Sequence, residues 1–337
     1  MRKTRKSKLK GQKQILLVGL FVFVTLMTIG YAAFNTNITL HVKGNIKTKP
    51  VDIGGVDVTP VTEGDGLYED EYEEGRYVYR GSNPNNYIMF NNETWRIISK
   101  EADGTYKIIR NDVLSNRAFD TQNRTSSSTY CKSTSGCGVY AAVSETFSSP
   151  SGSQSGTVTE DSSIKIYLND DYYVNNINST AKDQMTSHSF NIGAVEYLDR
   201  SGAKADSIEK NIAGEKMYTW TGNVGLANVS DILRASTNPL CTSATTSYDG
   251  TNECNSNYLL DKGSASSLVY WTINASSYES GGYSISAWRG LAVSSYARVY
   301  DAGASNSSSA PRPVVFLKSD TTLNGSGTLE DPFTIVQ

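Results

Sequence analysis

Hydrophobic positions in this chain follow two patterns. Near the N-terminus they are continuous: Ile15 to Ile29 is a fifteen-residue apolar core, and no Lys, Arg, Asp or Glu occurs from Gln14 to Val42. Further on, apolar and polar residues alternate over short spans, as half-buried strands require. Tyr87–Phe90 and Glu93–Lys100 flank Asn91-Asn92, a pair that tolerates positive φ in a tight hairpin turn. Asp103-Gly104 marks a second turn before Thr105–Asn111. Trp95 and Ile97 fall on one face of the middle segment, Arg96 and Ile98 on the other; Tyr106 and Ile108 alternate likewise with Lys107 and Ile109. The pattern predicts a three-stranded antiparallel meander.

Other elements are shorter. Asp161-Ser162-Ser163 can cap a helix, and Ile164, Leu168 and Tyr172 then recur at four-residue spacing, which predicts an amphipathic helix over Ser163–Asn175. A second helix is expected over Thr180–Ser187. Asn223–Asp231 and Val269–Asn274 read as strands, as does apolar Arg312–Lys318. Leu323–Thr328 and Pro332–Val336 read as a closing hairpin around Gly325 and Gly327. Residues 120–160, rich in Ser, Thr and Gly, read as a long surface loop. The expected fold class is α+β: an antiparallel sheet with one or two helices and long loops, after an N-terminal hydrophobic export helix.

Seven Lys/Arg precede the apolar run. A basic head stays in the cytosol while an uncharged helix enters the bilayer, so the body that follows is expected to be extracellular. Counted on to Phe34, the segment reaches twenty residues, enough to span a hydrocarbon core of ~30 Å. Gly30-Tyr31-Ala32 offers a signal-peptidase cut after Ala32. Residues 1–34 therefore read as a signal peptide or as a membrane anchor through 15–34, and both readings stay open.

Those 34 residues hold seven of the chain's 31 cations and none of its 34 anions, which leaves the rest near −10. An acidic exported body repels nucleic acid, so none is expected as a partner. Seven carboxylates crowd Glu63–Glu74. Adjacent acids such as Glu69-Asp70-Glu71 lack the alternating ligand spacing of a calcium loop, so 35–75 reads as an extended, acidic linker and 76–337 as the folded domain. Four cysteines form two local pairs, Cys131/Cys137 and Cys241/Cys254. In an oxidising compartment they read as two disulfides, each stabilising by roughly 2–3 kcal/mol.

Catalytic signatures are missing. The two histidines, His41 and His188, lie far apart, and no G-x-S-x-G elbow, zincin motif or phosphate-cradling loop occurs. His188 reads as a surface residue, and Asp170/Asp171 as a solvated helix face. Glu196/Asp199 would serve a glycosidase only if set across a cleft from a partner. No catalytic residue, cofactor or metal is expected. The aromatic stretch Trp271–Arg289, with Tyr278, Tyr283 and Trp288, is the sequence candidate for ligand binding, because aromatic and Arg side chains dominate binding hot spots. The competing reading places Trp271 and Trp288 in the core.

Two resemblances add expectations. Gly30–Asn35 resembles the end of signal peptides of biofilm matrix fibre proteins and camelysin-like proteins of Gram-positive spore-formers. The ordered set Tyr87-Ile88-x-Phe90-Asn91, Trp95-Arg96-Ile97-Ile98, Trp220-Thr221-Gly222, Ser230-Asp231, Trp271-Thr272 and Arg312-Pro313-Val314-Val315-x-Leu317-Lys318 resembles a domain of unknown function in exported Gram-positive proteins. Ile232 departs from that pattern, where an aromatic is expected. The element order is also similar to C-type-lectin-like folds. Together these imply a secreted or membrane-anchored cell-surface protein, most simply a non-catalytic binding or adhesion module for a cell-surface glycan or protein. The alternatives are a matrix or fibre component and an extracellular polysaccharide-acting enzyme.

Overall fold

A computed structural model of the chain describes residues 49–124, 131, 136–150, 155–195, 208–239, 241, 254, 257–260, 268–276, 287–293 and 296–336. Residues 1–48 lie outside them, and with them the expected signal peptide or membrane anchor over 1–34. Among the described residues, no helix is long and apolar enough to cross a membrane. Two compact units divide the chain, Met1–Lys47 and Thr48–Gln337, and all the described residues belong to the second.

That unit begins well before Arg76. Val51–Ile53 (β1) and Val56–Val58 (β2) form an antiparallel hairpin, and Gly66–Glu69 (β3) pairs with Tyr77–Arg80 (β4). Residues 51–75 thus differ from the expected linker: Ile53, Leu67 and Asp70 are all buried. Carboxylates that read as solvated have cationic partners far along the chain.

Tyr87–Phe90 (β5), Glu93–Lys100 (β6) and Tyr106–Arg110 (β7) form the predicted meander, with Ile88 opposite Trp95 and Ile97 opposite Ile108. Asn91 and Asn92 adopt φ of 56° and 60°, the left-handed pair a two-residue turn needs. Both faces of the meander are covered, since Trp95 and Ile97 on one and Ile98, Arg96 and Lys107 on the other are all buried. A bulge between Ile97 and Ser99 lets β6 change neighbours. Its first half pairs with β5, and Ser99 and Lys100 pair with β4.

The 120–160 region carries one short hairpin, Phe147–Ser148 (β8) with Ser155–Gly156 (β9). Ser162 then caps the predicted helix by accepting from the Lys165 N–H. The helix, α1, runs through Ser163–Ile166, a π-helical turn over Tyr167–Tyr172, and Tyr173–Asn176. Ile164, Leu168 and Tyr172 face the core as their spacing predicts. Ser179–Gln184 (α2), capped by Asn178, leads into Met185–Thr186 (β10) and His188–Asn191 (β11). Ile208–Glu215 (α3) and Thr219–Gly222 (β12) follow.

Asn223–Asp231 is not the strand expected. Asn228 and Asp231 form a capping box, the Asp231 carboxylate accepting from the Asn228 N–H at 2.9 Å, and start the helix Val229–Arg234 (α4). Local capping overrides the apolar alternation of Val224 and Leu226. Leu268–Ala275 (β13), Ala287–Val293 (β14) and Tyr296–Ala302 (β15) make a separate three-stranded sheet.

Val314–Leu317 (β16) pairs with β7, and Thr322–Asn324 (β17) closes on Phe333–Val336 (β18). The principal sheet has nine strands in the order β10-β16-β7-β6-β5-β18-β17, with β4 and then β3 branching from β6. β18 lies parallel to β5, so the end of the chain docks beside the start of the meander. The architecture is mixed α+β, mostly sheet with few helices. Cys131 bonds Cys137 and Cys241 bonds Cys254, the sequential pairing expected.

Candidate functional site

Helix α4 stands between two clefts of opposite character, and Arg234 at its end lines both. The first cleft, about 250 Å³, is lined by Lys107, Arg76, Glu101, Glu215, Asp231 and His188 among others. The meander supplies Lys107 from β7 and Ser99 from β6, the β3–β4 arm supplies Asp70, Glu73 and Arg76, and α3 and α4 supply Glu215, Ser230, Asp231 and Arg234.

Charges in the first cleft are matched to one another. Buried Arg76 donates to Asp70 at 2.6 Å, Glu101 at 3.0 Å, Ser99 at 3.0 Å and Asp231 at 3.2 Å. Arg234 donates to Asp70 at 2.7 Å and Glu73 at 2.6 Å. Lys107 donates to Asp231 at 2.5 Å and to the Asn228 side-chain oxygen at 3.0 Å. Burial raises the cost of ionising Asp231, but Lys107, Arg76 and Arg234 outweigh it and hold the carboxyl well below the usual range. Burial likewise opposes ionisation of Glu73, and the charges of Arg234 and Arg76 with hydrogen bonds from Lys216 and Arg234 bring it down to about 2. The Arg76 guanidinium is held charged by its four carboxylate neighbours against its own desolvation.

Glu215 is the exception. Its carboxylate accepts from the Ser230 N–H at 2.8 Å and hydroxyl at 2.5 Å. Burial dominates those bonds and pushes its carboxyl up to about 7. A buried carboxyl near neutrality is a catalytic candidate in principle. Here its hydrogen-bonding serves to join the end of α3 to the first turn of α4. His188 stacks on Phe316 with ring centroids 3.8 Å apart and contacts Asp103 at 3.1 Å, half-exposed at the edge of this cleft.

The second cleft, about 480 Å³, lies on the other side of Arg234 and is walled by the β3–β4 arm. Tyr68, Glu71, Tyr72 and Arg80 line it, together with the largely buried Leu233 and Ile208. The Tyr68 hydroxyl donates to the Gly64 carbonyl at 2.6 Å, which fixes the ring. Arg80 lies 5.0 Å from that ring's centroid and reaches the exposed Glu71 only loosely, at 3.4 Å. The Arg80 Nε is buried with no hydrogen-bond partner. Burial raises both phenols; at Tyr68 the Arg80 charge opposes the rise while Asp65 and Glu63 add to it, and at Tyr72 Glu71 and Glu209 add to it against Arg80.

The residues singled out from sequence do not converge. Trp271 lies on β13, fully buried, its indole N–H donating to the Arg117 carbonyl at 2.7 Å, so it is a core residue. Trp288 and Arg289 fall on β14, described in backbone only, and Tyr278 and Tyr283 lie outside the described residues. Asp170 and Asp171 are exposed on α1, as a solvated face requires. Glu196 and Asp199 lie outside the described residues. Among the described residues, no group of three or more His, Cys, Asp or Glu is placed to hold a metal ion. Sequence reasoning missed Tyr68, Tyr72 and Arg80. The available signal was tyrosines inside an acidic run, followed by the alternating Tyr77-Val78-Tyr79-Arg80.

Comparison with family models, with curated proteins and with solved structures gives no match in any of the three.

Proposed function

We propose that the chain is a secreted or membrane-anchored cell-surface protein whose folded body is a non-catalytic binding or adhesion module. The observation that carries this reading is the contrast between the clefts. Titratable groups of the charged cleft are occupied with one another, whereas the cleft at the β3–β4 arm is lined by two partly buried tyrosines and an under-used guanidinium. Binding sites join such apolar walls to a few directional polar groups. Two disulfides fit an oxidising environment, and the basic-then-apolar N-terminus supports export. The C-type-lectin-like comparison belongs to the same proposal. It is supported by an early strand meeting the last one and by a helix packed on the core.

Cells producing the full chain test this reading when incubated with a panel of immobilised glycans and extracellular matrix proteins. Saturable retention that antibody to residues 49–337 blocks is the expected outcome. Retention indistinguishable from that of cells lacking the protein, across the whole panel, would remove the reading.

A further inference from the structure

The second cleft has a chemistry narrower than binding in general. We propose that it is a site for a neutral glycan, resting on the binding-module reading above, with Tyr68, Tyr72, Arg80 and Glu71 as the contact residues.

Three observations point to this ligand class. The first is the lining of the cleft, in which Tyr68 and Tyr72 stand with Glu63, Glu71 and Arg80. A pyranose has the complementary construction, one face of C–H groups and a perimeter of hydroxyls. Its apolar face is matched by the tyrosine rings, and its hydroxyls by the polar side chains. A volume of about 480 Å³ lies within the range of roughly 300–1,000 Å³ common for small-ligand sites.

The second observation is the state of Arg80. Its buried Nε has no partner, and its terminal nitrogens stand 3.4 and 3.5 Å from one oxygen of Glu71. Those are the limits of a useful hydrogen bond. A hydroxyl oxygen accepting from the guanidinium, with a neighbouring hydroxyl donating to Glu71, would use donors and acceptors that the protein leaves nearly idle. Tyr68, anchored to Gly64 and lying against Arg80, keeps the guanidinium plane in place.

The third observation selects against charge. Glu63 and Glu71 both line the cleft, and the fields of Asp65 and Glu209 reach its tyrosines. Its second cation, Arg234, is already engaged by Asp70 and Glu73. A sialylated, sulfated or phosphorylated sugar would meet more carboxylate than free cation. Uncharged hexose units meet no such penalty.

The test uses the full chain in nanodiscs, applied to an array of neutral, sialylated and sulfated oligosaccharides together with collagen and mucin-core peptides. Hits are then titrated by calorimetry. Binding to neutral oligosaccharides is expected, with Tyr72→Ala and Arg80→Met each weakening the best hit at least ~10-fold. Glu71→Gln should weaken it too, and because Glu71 is exposed this variant keeps the fold, which an unchanged melting temperature verifies. Binding confined to anionic glycans or to peptides overturns the neutral-glycan site and leaves the binding module standing. A neutral hit with unchanged affinity in all three variants places the ligand elsewhere and overturns the site. Silence across the whole array overturns both.

Discussion

The clefts on either side of Arg234 are made from the same kinds of residue and behave as opposites. In the charged one, Arg76 reaches three carboxylates and a serine within 3.2 Å, and Asp231 answers two cations and a backbone N–H. In the other, Arg80 has one carboxylate at 3.4 Å and an idle Nε. Charges satisfied internally hold elements together; charges left partly unsatisfied beside aromatic rings are available to something else. The network joins the β3–β4 connection to β6, β7, α3 and α4, so it secures the arm that walls the open cleft. On this view one cleft is the mounting for the other.

The largest expected effect comes from breaking the mounting. Asp231→Ala removes the partner of Lys107 and one partner of Arg76, and it deletes half the capping box of α4. Removing one member of a buried charge set costs about 3–5 kcal/mol, because the remaining charges stay buried without compensation. Denaturant unfolding should show the extrapolated unfolding free energy fall by that amount. A loss no larger than that of an exposed substitution such as Asp171→Ala would mean the network is not what holds α4.

Next comes Glu215, where the trend reverses. Its folded carboxyl titrates near 7 against a reference of 4.5. A raised acid is a liability: as pH climbs from 4.5 towards 7 the unfolded chain releases its proton first, and stability falls across that window. Glu215→Gln keeps an acceptor for the Ser230 N–H and never ionises. It should match the parent near pH 4 and exceed it at pH 8 by on the order of 3 kcal/mol, at ~1.4 kcal/mol per pKa unit. Thermal melts across pH 4–8 read this directly, and parallel curves would contradict it.

Glu73 gives a slightly smaller effect of the opposite sign. Its carboxyl is held at about 2 against 4.5, so its contribution is complete above pH 4.5 and is lost as pH falls towards 2. Glu73→Gln should cost about 2–3 kcal/mol at pH 7 and nothing near pH 2. Since Glu73 also orients Arg234, the wall shared by both clefts, this variant should weaken any ligand of the open cleft alongside stability. A stability loss unchanged between pH 7 and pH 2 would show that packing, not charge, is its role.

Legibility from sequence divides along the same line. The meander could be read because its signals are local: alternation within Trp95–Ile98 and an Asn-Asn turn set pairing between neighbours. The start of α1 was equally local, through Ser162. The acidic arm was misread because its partners are remote, Arg76 to Asp231 across 155 positions and Arg234 to Asp70 across 164. Seven carboxylates in twelve residues signal solvation unless those distant cations are known. Trp271 was ambiguous for a related reason, since an aromatic on a strand marks a core or a ligand face equally well until the neighbouring sheet is placed. Helix α4 was missed because strand-like alternation and a capping box overlap in Asn223–Asp231, and only burial of the whole of Val229–Arg234 decides between them.

The smallest expected effect is the sharpest for the comparison. Arg80 makes one loose, partly exposed ion pair, and such pairs contribute about 0–1 kcal/mol. Its buried Nε works against folding, because desolvating a donor without a partner carries a penalty. The two terms nearly cancel, so Arg80→Met, which keeps the length and apolar stem of the side chain, should change stability by less than about 1 kcal/mol in either direction. Arg76→Met, by contrast, removes a buried guanidinium shared by Asp70, Glu101 and Asp231 and should cost several times more. Two arginines at the two ends of β4, given the same substitution and measured in the same unfolding assay, then report whether a guanidinium is structural or spare. Equal losses would erase the distinction between the clefts. A null effect at Arg80 beside a large one at Arg76 marks the guanidinium that the fold leaves free for a ligand.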